Sequence, residues 1–340
     1  MHAQKQTDSR ERTITDRENR VHFAEKNYII AISSNQDATM TAPKLKHNRT
    51  RIEPAGHAEQ ISPLVQRMVA PNGSPYTFTG TCTYIVGTDT VAIIDPGPSD
   101  EAHLSAILRS VEGRNVDHIV ITHTHRDHSP GARPLQKATG AKIVGCAAHI
   151  PADNPQQGRL DASHDLDYAP DAEMGDGDIL HGQGFSLQAI ATPGHASNHL
   201  AFALLEENTL FSGDHVMAWS TSIVAPPDGS MQDYMRSLDK LLSREDKHYW
   251  PGHGGAVEEP QSYVSALAGH RRDREAAILA RISAGDRDIP AMVLNIYRGL
   301  DPKLHGAAAL SVLAHLEDMA ERGMVKTDGA PALASEFRVA

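Results

Sequence analysis

The 340-residue chain has little cysteine, no long apolar run and no surplus of basic charge, and each shortage closes off a class of function. Its two cysteines, Cys82 and Cys146, lie far apart with no second cysteine or histidine at metal spacing, which excludes a disulfide framework and a zinc finger. A reducing compartment follows, so the expected location is cytoplasmic. Nowhere does the sequence approach the roughly 20 consecutive apolar residues that cross a bilayer, and no membrane segment is expected. Lysine and arginine number 32 against 43 acidic residues, and the net charge of −11 argues against coating nucleic acid by bulk charge. Histidine runs the other way: there are 20, and imidazole is the commonest metal ligand.

At a prior of about 150 residues per domain, the length suggests two domains. Residues 1–51 are polar and mixed in charge. Asp8, Glu11, Asp16, Glu18 and Glu25 interrupt any secretory or transit pattern, so this stretch is expected to be a disordered extension. Its first 39 residues precede Met40 and could equally be an upstream extension of the reading frame. From 52 to 260 short strands alternate with helices. Strands are predicted at Thr81–Val86, Val91–Asp95, His118–Thr122, Lys142–Cys146, Ser186–Ala191, Leu200–Leu205 and Thr209–Ser212. Helices are predicted after a Ser99 cap, over Arg133–Ala138 and over Met231–Leu242. From 261 to 340 the patterns become helical, at Ser262–Ile282, Ile289–Tyr297 and Ala307–Glu321, before a possible strand at Phe337–Val339. Three helices followed by a hairpin suggest a winged helix. Between Arg271 and Lys326 nine basic residues face eight acidic ones, so packing, dimerisation or support of a substrate loop fits this region better than duplex binding.

The chemistry concentrates after the predicted strand that ends at Thr122. There His123, His125, Asp127 and His128 fall within six residues, at a turn that can aim alternate side chains at one point. Three further candidates follow glycines: His195 in Pro193-Gly194-His195, Asp214 in Ser212-Gly213-Asp214, and His253 in Pro251-Gly252-His253. Glycine permits the sharp turn that brings backbone close to an ion. Five imidazoles and two carboxylates suit Zn²⁺, with iron or manganese able to use the same donors. Seven donors exceed the needs of one ion, and a carboxylate can bridge two. Asp95, at the end of another strand, is a candidate hydrogen-bond acceptor for a ligand imidazole. His199 could contact substrate or simply end a strand. His103, His118, His149, His164, His181, His215, His248, His270, His305 and His315 have no motif context and are read as structural. Cys82 and Cys146 are expected as buried apolar residues, and Trp219 and Tyr234 as either pocket lining or core.

The HxHxDH run, the two PGH turns and the GD turn, in this order over about residues 60–255, resemble the metallo-β-lactamase superfamily of dinuclear hydrolases. That resemblance implies an α+β fold, a four-layer αββα sandwich, with a C-terminal winged-helix-like domain like that of one branch of the superfamily. It implies that His123, His125 and His195 bind one metal, that Asp127, His128 and His253 bind the other, and that Asp214 bridges them. Two dications flanking one water lower its pKa from about 16 toward about 7, which supplies hydroxide for attack on an acyl or phosphoryl centre. Asp127 is then expected to orient that hydroxide and to pass a proton to the leaving group. The sequence departs from the commonest β-lactamase subclass, which has a cysteine at the second metal, and from the diiron redox relatives, which have glutamate where His125 stands.

The expected function is metal-dependent hydrolysis of a small ester, thioester or related acyl substrate. Alternatives are an endoribonuclease acting on single-stranded RNA, a β-lactam or lactone hydrolase and, outside enzymology, a metal-responsive DNA-binding regulator. The expected partner is a small-molecule substrate, with RNA entering only as a substrate and a homo-oligomer open. An apolar pocket at His195 would favour the acyl substrate, and a basic groove would favour RNA.

Overall fold

The computed structural model describes residues 45–151 and 164–340. The expected extension therefore lies mostly outside the described residues. Of its last residues, Asn48 donates its backbone N–H to the Ala218 carbonyl at 2.8 Å, and His47 Nδ1 lies 3.1 Å from the Tyr263 hydroxyl.

Among the described residues two sheets dominate. The first runs in chain order through β1 (Glu59–Gln60), β2 (Val65–Val69), β3 (Cys82–Gly87), β4 (Thr90–Ile94), β5 (Asn115–Ile121), β6 (Lys142–Gly145) and β7 (Ala172–Glu173). Its pairs are antiparallel up to β3–β4 and parallel from β4–β5 onward. The second sheet joins β8 (Ile179–Gly182), β9 (Phe185–Ala191), β10 (Leu200–Leu204), β11 (Thr209–Gly213) and β12 (His248–Pro251), antiparallel except for the β11–β12 edge.

Side-chain alternation along the second sheet explains the layering, because successive residues of a strand point to opposite faces. Leu187, Ala189, Phe202, Leu204 and Phe211 join Ile85, Ile93 and Ile119 of the first sheet in one core. Their neighbours Ile190, Ala201, Ala203, Leu210 and Tyr249 form a second core with helix α3 (Met231–Leu242) and the first half of helix α4 (Pro260–Ser283). The central core also takes in Leu104 and Ile107 of helix α1 (Glu101–Ser110) and Leu135 of helix α2 (Ala132–Thr139). The result is the four-layer αββα sandwich. α3 has the predicted bounds, and Ser230 caps it by accepting the Asp233 N–H. α1 is capped by Asp100, which accepts from the His103 N–H, and not by Ser99. Aspartate at this position also favours the positive end of the helix dipole.

The second half of α4 leaves the sandwich. Its Ile278 and Ile282 pack with Met292 and Val293 of α5 (Ile289–Ile296), Leu313 and Leu316 of α6 (His305–Glu321), and Val325 and Phe337, in a third core. A two-stranded ribbon, β13 (Val325–Lys326) with β14 (Arg338–Val339), completes the three-helix winged-helix arrangement. α4 thus contributes to two cores in succession, and the boundary expected at 260 falls on its first residue. No helix among the described residues is long and apolar enough to cross a membrane.

Candidate metal centre

β5 delivers the chain to Thr122, and the turn that follows carries four of the expected donors. Asp95, just after β4 and held at φ 47°, organises this turn. Its Oδ1 accepts the Thr122 N–H at 2.9 Å, and its Oδ2 accepts both the Thr122 hydroxyl at 2.7 Å and Nδ1–H of His128 at 2.8 Å. Thr122 has given its proton to Asp95, so the 2.9 Å contact with His123 Nδ1 requires that nitrogen to carry the hydrogen. Two more imidazoles are fixed in the same sense. His195 Nδ1–H donates to the Ile223 carbonyl at 2.6 Å, and His253 Nδ1–H to the Gly80 carbonyl at 3.2 Å. In the neutral form of each of these four rings the lone pair is therefore on Nε2.

Those lone pairs converge in two groups. His123 Nε2 and His195 Nε2 lie 2.9 and 3.1 Å from His125 Nδ1. Nearby, His253 Nε2 is 3.1 Å from Asp127 Oδ2 and 3.3 Å from Asp214 Oδ2, and His128 Nε2 is 3.5 Å from Asp127 Oδ2 and from Asp214 Oδ1. Asp214 Oδ2 also lies 3.6 Å from His195 Nε2, so this carboxylate stands between the groups. All seven residues singled out in the sequence meet here, and within each group the donor atoms lie within 4.8 Å of one another.

The glycines before these donors are required by space. A Cβ on Gly252 would stand 2.4 Å from Asp214 Oδ1 and 2.7 Å from His128 Cε1, and one on Gly213, at φ 49°, would stand 2.5 Å from His199 Nε2. His199 is not a further donor. It is buried, and its Nε2 accepts the Asp214 backbone N–H at 3.1 Å, which uses its lone pair to hold that carboxylate in place.

Electrostatics separates the groups. Burial, and then the neighbouring imidazoles, pushes His123 and His125 well below the ordinary histidine range, so both are neutral ligands in waiting. Burial alone would also lower His128 and His253, but the surrounding carboxylates outweigh it and lift His128 well above its ordinary value and His253 to about 9. Asp127 and Asp214 are correspondingly held well below the usual carboxylate range, chiefly by His128 and His253 against the opposing effect of burial. Two atoms in this group, His128 Nε2 and Asp214 Oδ1, are buried without a hydrogen-bond partner. Convergent lone pairs and orphaned buried acceptors are what divalent cations would satisfy, and the donor set fits them.

A cavity of about 610 Å³ opens onto both groups through His125, Asp127, His195, Asp214 and His253. Much of its lining is apolar, with Tyr76, Met217, Trp219, Ile223, Pro226 and Pro227, and no lysine or arginine is among its described lining residues. Trp219 is stacked on Phe78 at 4.9 Å, whereas Tyr234 is buried in the core behind the second sheet. Sequence reasoning missed the polar part of the lining: His149, His164, Ser197 and Asp228. Spacing carries no signal for it, because Ser197 and Asp228 are 31 residues apart and His164 bonds Thr124 across 40. Although His125, His164 and Asp228 form a third cluster of candidate donors, His164 has no lone pair to offer. The Asp228 carboxylate 3.3 Å from His164 Nε2 can only accept, so Nε2 carries the proton, and in the neutral ring the Nδ1 lone pair is taken by the Thr124 hydroxyl at 3.0 Å. Cys82 and Cys146 are free and buried, and burial raises both thiols out of the reactive range.

A four-layer sandwich carries at one site two groups of histidine and aspartate side chains able to hold divalent cations. Residues 75–253 match the metallo-beta-lactamase superfamily, and the chain belongs to it. Residues 289–332 match the beta-lactamase associated winged helix domain. The chain is 30% identical over 280 residues to a beta-lactamase-like protein 2 homolog of Drosophila melanogaster, which spans 78% of this chain and 91% of the relative. It is 31% identical over 240 residues, 69% of this chain and 70% of the relative, to an atrochrysone carboxyl ACP thioesterase of Paecilomyces divaricatus. In fold it is similar to the crystal structure of a beta-lactamase domain protein from Burkholderia ambifaria. The TM-score is 0.71 at 18% identity, covering 87% of this chain and 97% of the other.

Proposed function

We propose that the protein is a metal-dependent hydrolase of small, apolar acyl esters or thioesters. The observation that carries this reading is the cavity: its floor is the two donor groups and its described lining is largely apolar and free of lysine and arginine. An acyl chain gains from burial there, about 25 cal/mol per Å² of apolar surface, whereas a nucleic-acid backbone would find no lysine or arginine among the described lining residues to track it beyond the donor groups. One sequence relative bears the name of an acyl-carrier thioesterase, which supports the same chemistry. Among the described residues the RNA reading finds no basic groove at this cavity. The regulator reading lacks a basic recognition helix, since α6 contains neither lysine nor arginine.

In this reading His123, His125 and His195 would hold one divalent ion and Asp127, His128 and His253 the other, with Asp214 placed between the two groups. Zinc suits the donors best, and iron or manganese could use them. Such ions supply Lewis-acid polarisation of the acyl carbonyl and an acidified water. The protein's share is orientation and proton handling. Asp95, Ile223 and Gly80 fix the imidazoles through Nδ1 so that each presents Nε2. Asp127 is the more accessible carboxylate, its side chain 27% exposed against 9% for Asp214, and it is placed to orient the attacking water and carry its proton to the departing alkoxide or thiolate. Domain limits of 52–260 and 261–340, a cytoplasmic location and a homo-oligomer remain part of the same proposal, and the free cysteines fit a reducing compartment.

The test is a parallel panel with zinc-loaded protein and Asp214→Ala: an acyl thioester, a lactone, a cephalosporin, a phosphodiester and single-stranded RNA. Turnover of the thioester or of an aryl ester by the first protein alone supports the reading. Turnover confined to RNA or the phosphodiester overturns the substrate class, and turnover confined to the cephalosporin or lactone moves it to cyclic amides or esters.

A further inference from the structure

Arg271 lies on α4 where the helix passes from the sandwich core, with Val264, Leu267 and Ala268, to the C-terminal core, with Ile278 and Ile282. It is 4% exposed, yet among the described residues no carboxylate lies within ion-pairing distance of its guanidinium, and its Nε has no hydrogen-bond partner. Its contacts are the face of Tyr234, 4.8 Å from the ring centre, and the carbonyl of Ser222, to which a terminal nitrogen donates. Burying a cation without an ion pair is costly, and an apolar residue of similar volume would pack at lower cost. What the charge secures is one loop carbonyl, through a charge-assisted hydrogen bond.

That loop leads to the metal centre at both ends. Ile223, the next residue, offers the carbonyl that receives Nδ1–H of His195. At the other end, the Ser222 hydroxyl and the Tyr234 hydroxyl both donate to the carbonyl of His215, adjacent to Asp214. We propose that Arg271 is a positioning residue: it fixes the Ser222–Ile223 peptide so that His195 is held in its ligating orientation, and it thereby makes the helix shared with the C-terminal domain part of the metal centre's support. The inference rests on the reading of His195 as a metal ligand and deepens it.

The experiment is zinc competition against a chromophoric chelator, with full-length wild type, R271M, R271K and R272A, the last changing an exposed neighbour on the same helix. R271M is expected to bind zinc about tenfold more weakly, the lower end of what loss of a ligand's supporting partner causes. R271K keeps a donor for Ser222 and is expected within about threefold of wild type, and R272A unchanged. Hydrolysis lost by R271M at limiting zinc should return at saturating zinc, a rescue that a purely structural defect would not give. R271L, which likewise offers no donor, replaces R271M if that variant does not fold. A lowered melting temperature with wild-type zinc affinity in the folded protein overturns the proposal, as does R271K behaving like R271M. Wild type that binds no zinc, iron or manganese overturns the reading of His195 itself, and the two failures are therefore distinct.

Discussion

Two sets of histidines are equally hidden from water in this protein, and the fold treats them differently. His123, His128 and His253 are at most 1% exposed, and each has its Nδ1 tied to a protein partner so that Nε2 faces inward. His215 and His315 are just as buried, yet among the described residues neither ring nitrogen of either has a hydrogen-bond partner. A buried imidazole is therefore not a site by virtue of burial. It becomes a ligand when a second group fixes its tautomer and aims the remaining lone pair.

The largest expected effect comes from removing the group both halves of the centre share. Asp214→Ala should lower hydrolysis by about three orders of magnitude, the several kcal/mol a bound metal contributes, and reduce metal content below that of wild type, as measured by initial rates and elemental analysis. Next comes the supporting layer. Asp95→Asn puts an amide donor where His128 Nδ1–H needs an acceptor, and metal affinity measured by chelator competition should fall about 10–100-fold. Third is His199→Leu, which strands the Asp214 backbone N–H. A loss of about 1–3 kcal/mol in urea unfolding is expected, with a smaller kinetic defect.

The smallest effect tests the other side of the comparison. Burial, followed by the charge of nearby Arg271 and Arg274, depresses His315 from its ordinary 6.5 to about 3. A depressed histidine is neutral in the folded chain, so the stability it permits is intact above pH 6.5 and is lost as pH falls toward 3, because the unfolded chain takes up the proton first. His315→Leu should be neutral or stabilising by about 1 kcal/mol at pH 7, and should flatten the acid limb of stability by about 1.4 kcal/mol per pH unit in that window. An acid-sensitive His315→Leu protein would break the comparison.

The same contrast explains what the sequence made legible. The seven candidate donors could be picked out because each sits in a short motif, beside a glycine or in the tight turn after Thr122. α3 was legible to the residue because Ser230 caps a run with clear helical periodicity. β1, β7 and β13 are two residues each, and β12 reads His-Tyr-Trp-Pro, so their strand character comes from the partner they pair with and not from alternation of their own. The roles of His164, Asp228 and Arg271 depend on partners 31 to 49 residues away, and no local pattern encodes them.

The helix that serves two cores also sets where this chain can be divided. A truncation before Pro260 would strip Val264, Leu267 and Ala268 from the outer face of the second sheet and leave apolar surface bare, a recipe for aggregation rather than for a minimal enzyme. A cut at the turn of Gly285 meets the mirror problem, because Ile278 and Ile282 of the same helix would lose the C-terminal core they pack in. Fusing, trimming or exchanging the C-terminal module therefore disturbs one core or the other wherever along α4 the join is made.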